Sequence, residues 1–209
     1  MEVRASPPQA GRVNQCSLLP LVLGLASASA SAQSLVVELF DYTDLPAKRI
    51  ERFREIADLA LAHSGIQLIW QYCRGALPAP AGSTCEKEMG NNEIAVRILP
   101  GVPGGPGDGR ILHLGNSVVS AEGGHYASVF APAIRAQAAE FGLRFELMLG
   151  YAVAHEVGHC LLGPEHSSAG LMRAVWNRKD AEEISRLSLH LTKDEARRAV
   201  ARLTLAARR

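Results

Sequence analysis

Two histidines four residues apart with a glutamate between them, His155-Glu156-Val157-Gly158-His159, are the residues of this chain best suited to chemistry. On a helix the i,i+4 spacing sets both imidazoles one turn apart on one face, where they can ligate a single ion. Glu156 is the next residue round the helix. Its carboxylate is therefore placed beside such an ion and not on it, ready to accept a proton from an activated water. A catalytic zinc takes three protein ligands and keeps a fourth position open, so a third donor must come from elsewhere. Gly163-Pro164 ends the helix and lets the backbone reverse, which allows His166 to reach back toward the ion.

The string from His155 to Met172, HEVGHCLLGPEHSSAGLM, resembles the zinc motif of the metzincin peptidases, H-E-x-x-H-x-x-G-x-x-H followed by a methionine-containing turn. His166-Ser167 is similar to the matrixin branch in particular. The resemblance implies that His155, His159 and His166 are zinc ligands, that Glu156 is the general base and that Met172 forms an apolar floor beneath the metal. The chain departs from the pattern by one residue: Leu162 stands where the family has glycine, Gly163 comes one later, and Glu165 occupies the position of the third ligand with His166 after it. Two arrangements stay open, a turn longer by one residue with His166 ligating, or a His-His-Glu site that uses Glu165. The preference of zinc for neutral imidazole, and the shift of the glycine along with the histidine, favour His166. No tyrosine follows Met172 closely, so none is assigned as ligand or oxyanion donor. His63, His113, His125 and His190 stand alone in the sequence and read as ordinary.

The elements that must position these residues can be read from periodicity. The motif helix is expected over roughly Leu143 to Leu162, stopped by Gly163-Pro164. Helical pattern begins earlier, from Pro132. Ser34–Phe40 alternates as an opening strand, and Asp41–Leu45 is a turn. Pro46 then opens a helix whose Ile50, Phe53, Ala57 and Ala60 recur at helical spacing until Gly65 ends it. Ile66–Tyr72 alternates as a half-buried strand, and Glu93–Leu99 is a third. The Pro- and Gly-rich run from Pro100 to Gly109 connects it to shorter apolar strands around Ile111–Leu114, Val118–Ala121 and Tyr126–Phe130, the last of which is expected to pair edge-on with a peptide. A final amphipathic helix should begin at Thr192, an N-cap with Glu195 as its capping-box partner, and run to Leu203 or Leu205.

Residues 1–32 read as a signal peptide: Arg4 and Arg12 precede the apolar run Leu18–Leu25, and Ala30-Ser31-Ala32 offers a cleavage site before Gln33. That run is too short to span a bilayer, which points to a secreted or periplasmic protein without a membrane span. Residues 33–209 then form a single peptidase domain, with no room for a folded propeptide before the first strand. Removing the leader takes two bases from 22 and one acid from 21, leaving the charges balanced and no electrostatic case for nucleic acid. The basic surplus from Arg173 to Arg209 reads as a solvated face. Cys16 leaves with the leader; Cys73 and Cys85 flank a short loop and are expected to form a disulfide, while Cys160 is a buried free thiol inside the motif helix.

The fold class that follows is α+β, a twisted mixed sheet packed on helices, with an active-site helix and a short, irregular C-terminal subdomain; part of this is implied by the metzincin resemblance. The activity that follows is that of a secreted, monomeric zinc peptidase acting on peptide or protein substrates. A zinc-stabilised binding domain without turnover, or a zinc hydrolase of a non-peptide amide, are the alternatives.

Overall fold

The computed structural model describes residues 32–75, 85, 87–101, 113–120 and 123–208. The expected signal peptide, its cleavage site apart from Ala32, and nearly all of the loop expected from Pro100 to Gly109 lie outside them.

Among the described residues five strands and five helices follow one another as β1 (Gln33–Asp41), α1 (Ala47–Ala62), β2 (Ile66–Arg74), β3 (Glu93–Leu99), β4 (Gly115–Ser120), β5 (Gly123–Phe130), α2 (Ala131–Phe141), α3 (Phe145–Leu162), α4 (Arg178–Ser185) and α5 (Lys193–Ala206). The sheet order is β2-β1-β3-β5-β4, with every pairing parallel except that of β4 with β5. β1 and β3 lie inside this sheet, and Leu35, Val37 and Leu39 of the first and Ile94, Val96 and Ile98 of the second are buried in the core. The α+β class expected from the sequence is the one found.

α1 starts just after Pro46, which serves as its N-cap residue, and its expected stripe of Ile50, Phe53, Ala57 and Ala60 is buried. That stripe packs on α3, whose residues from Met148 to Leu161 are all buried. A helix apolar on every side must be central, and α3 is enclosed by α1, α2, α5 and strands β4 and β5. The two long helices meet most closely at Gly150, where a Cβ would stand 2.6 Å from Ile56 Cγ2 and 2.7 Å from the Phe53 carbonyl oxygen. Because that oxygen is backbone, the contact cannot relax by a rotamer change. Gly150→Ala is expected to lower the unfolding free energy by roughly 1–3 kcal/mol, read as a lower urea midpoint at unchanged slope.

Three expectations are corrected. Tyr126–Phe130 belongs to β5, which lies between β3 and β4 and so has no open edge for a peptide; the outer strand on that side is β4. Of the strand expected around Ile111–Leu114, Ile111 lies outside the described residues, and His113 and Leu114 precede β4 without joining it, although the Leu114 carbonyl accepts a hydrogen bond from Phe130 N–H at 2.8 Å. The C-terminal part is less irregular than expected, because α4 stands in it. Asn177 and Asp180 close a reciprocal capping box at its start. Cys73 and Cys85 form the expected disulfide, and Thr192 and Glu195 form the expected capping box of α5.

Candidate metal centre

α3 carries His155, Glu156 and His159 on one of its most buried turns. Each histidine hands the proton on its Nδ1 to a backbone carbonyl: His155 to Leu171 at 2.7 Å and His159 to Gly163 at 3.0 Å. A carbonyl can only accept, so these bonds place hydrogen on Nδ1 and leave a bare lone pair on Nε2. Burial keeps His155 uncharged, drawing its pKa down to about 4, with the Leu171 carbonyl opposing the shift and His159 and His166 adding to it. His159 is shifted the same way, mainly by burial.

The Nε2 atoms of His155 and His159 stand 3.1 Å apart, and His166 Nε2 is 3.1 Å from that of His159. Two acceptor lone pairs that face each other at this distance repel unless a cation lies between them. Zinc–nitrogen bonds of about 2.0–2.1 Å at tetrahedral angles place ligand nitrogens roughly 3.3 Å apart, close to what is seen. The donor set fits a zinc ion. Of the two residues expected to compete for the third position, the structure brings His166 into the cluster and leaves Glu165 outside it, exposed to solvent.

The extra residue of the motif is absorbed by the helix. α3 continues through Leu162, with Gly163 N–H still bonded to the His159 carbonyl at 2.8 Å, and the chain breaks out only at Gly163. Gly163 has φ 95° and ψ −173°, a conformation essentially confined to glycine. That turn frees the Gly163 carbonyl to orient His159 and swings His166 back to the other imidazoles. Met172 lies beneath the site, 1% exposed, its sulfur against Gly158, where a side chain would collide with it. Trp176, which the sequence did not single out, stands edge-on to His155 at 5.6 Å and donates to the same Leu171 carbonyl that orients it.

Glu156 is 5% exposed and outside the histidine cluster. Burial raises its pKa to about 7, and the hydrogen bond from Ser117 opposes the rise. The Cys160 thiol is buried and pushed up to about 12, so it stays protonated and inert, as expected of a core cysteine.

Imidazoles and carboxylate open onto a cleft of about 780 Å³, walled by Phe141, Val175, Trp176 and Asn177 and, against expectation, by His113. His63 and His190 are not isolated either; their rings stack at 4.0 Å, away from the cleft. A second grouping, Glu38 with Cys73 and Cys85, is no metal site, because both sulfurs are consumed in the disulfide.

No protein-family model matches the chain, and no curated protein does. Among solved structures it is similar to archaemetzincin from Methanopyrus kandleri, with 16% identity, 86% of this chain and 99% of that one covered, and a TM-score of 0.50. It is also similar to metalloproteinase-II from Bacteroides fragilis, with 13% identity, 84% of this chain and 55% of that one covered, and a TM-score of 0.50. The chain thus spans about half the length of the second protein. At such identities the likeness is one of fold: a mixed five-stranded sheet and five helices in the α+β arrangement of metzincin-like neighbours.

Proposed function

We propose that the chain is an exported, zinc-dependent peptidase in which His155, His159 and His166 hold the metal and Glu156 is the general base. The observation that carries the proposal is the convergence of three imidazole nitrogens beside a buried carboxylate that takes no part in the cluster. A structural zinc site has no use for such a carboxylate, whereas a hydrolase needs one within reach of its water. The names of the neighbours, an archaemetzincin and a metalloproteinase, support the same reading.

When bound, zinc would supply Lewis acidity, making a water more acidic and a substrate carbonyl more electrophilic. The protein's own groups do the rest. Glu156 accepts the proton of the attacking water and returns it to the departing amine nitrogen, a dual role suited to a carboxylate held in a largely dry pocket. The Leu171 and Gly163 carbonyls keep His155 and His159 turned inward by fixing their tautomers. The peptide backbone lies along β4, the outer strand of the sheet, and apolar side chains fit the Phe141–Trp176 wall. Export by the leader over residues 1–32 accords with the disulfide, which persists in an oxidising compartment. Among the described residues no helix is long and apolar enough to cross a membrane.

Purified mature chain is expected to contain one zinc per molecule by atomic absorption and to cleave a casein-like substrate, with activity abolished by chelation and restored by zinc. Stoichiometric zinc without cleavage of a broad peptide library would identify the alternative, a zinc-stabilised binding domain.

A further inference from the structure

The two oxygens of Glu156 are not equivalent. The Ser117 hydroxyl donates to Oε2 at 2.6 Å and also lies 3.0 Å from the backbone carbonyl of the same residue. Ser117 sits in the middle of β4, so this contact ties the outer strand of the sheet to the motif helix across 39 residues of sequence. A hydroxyl has one proton to give, and here it is committed to Glu156. Oε1 faces Gly115 instead: a Cβ at that position would stand 2.7 Å from Oε1 and 2.5 Å from the Ser128 carbonyl oxygen, so only glycine leaves the carboxylate its space. Gly115 and Glu156 both line the cleft.

We propose that Ser117 is a positioning residue that anchors Oε2, leaving Oε1, lodged against Gly115, as the oxygen that takes the proton from water and returns it to the leaving amine. The inference rests on the peptidase reading above. Without the anchor, the carboxylate is free to rotate about its terminal bonds, and a misplaced base costs rate more than binding. Since β4 is also the strand along which substrate is proposed to lie, the base and the substrate are referenced to one strand.

Ser117→Ala in the mature chain is expected to lower kcat about tenfold to hundredfold, the range for a lost hydrogen bond to a charged group, while KM changes less than about twofold. Zinc content should remain one per chain. In a crystal of the metal-free Ser117→Ala protein, the Glu156 carboxylate should leave the position it holds in the parent. Ser117→Thr and Ser117→Val, nearly equal in shape, should separate by the same factor in favour of threonine. On a Glu156→Gln background, Ser117→Ala should cost nothing further in residual rate. Equal rates for the threonine and valine variants, or zinc lost together with activity, overturn the positioning role. Full activity in Ser117→Ala with an inactive Glu156→Gln overturns it too, yet leaves the peptidase reading standing. Full activity in both sinks that reading as well.

Discussion

Glu156→Gln is expected to lower hydrolysis of a peptide substrate by about 10²- to 10⁴-fold, the contribution of a well-placed general base. The change is close to isosteric, and the glutamine carbonyl oxygen can still accept the Ser117 hydrogen bond, so neither the packing of α3 nor the β4 contact is disturbed. What is lost is the capacity to hold a transferred proton. Zinc should stay at one equivalent, because Glu156 is not part of the three-imidazole cluster. The diagnostic result is therefore a dissociation, with metal retained and turnover gone. A variant that keeps parental kcat/KM would falsify the assignment of the base.

His155→Ala should behave in the opposite way, losing the metal first. In the parent, added zinc is expected to bind the folded chain and stabilise it by RT ln(1 + [Zn]/Kd), about 2.7 kcal/mol at a free concentration of 100 times Kd, which is read as a rise in melting temperature. With His155 gone, two imidazoles remain, one of them on an exposed turn, and stoichiometric zinc and the thermal shift should both vanish. The fold itself has good reason to survive, since the Leu171 carbonyl keeps the Trp176 indole as a partner at 3.2 Å. A His155→Ala protein that still co-purifies with one zinc, or still melts higher when zinc is added, rules out this cluster as the metal site.

Much of the site was legible because its logic is local. The spacing of His155 and His159 needs only a helix, and the break at Gly163 needs only a glycine in a conformation that other residues avoid. The extra residue after His159 left His166 and Glu165 in competition. That ambiguity is geometric and needed the length of α3, one residue longer before its stop, to bring the histidine round. The helices at Thr192 and Pro46 were readable from their own first turns. Strand order was not, because the pairing of β5 with β3 joins segments about thirty residues apart, and the apolar character of Tyr126–Phe130 says nothing about which neighbour lies on each side. Ser117 and Trp176 carry no signal at all in the sequence; a serine on a short strand and a tryptophan after a turn acquire meaning only from the helix they touch. The Asn177–Asp180 box of α4, by contrast, was available to be read, and its helix of 8 residues was too short to show a stripe.

The turn bearing His166 is pinned from behind. Ser167, the next residue, donates its hydroxyl to Glu195 Oε1, while the other oxygen of Glu195 caps α5 by accepting from Thr192 N–H at 2.7 Å. Glu195 is 2% exposed, so this junction is part of the core and not a surface latch. Ser167 and Glu195 are 28 residues apart in sequence, so the turn that carries the third imidazole is joined directly to the first turn of the final helix.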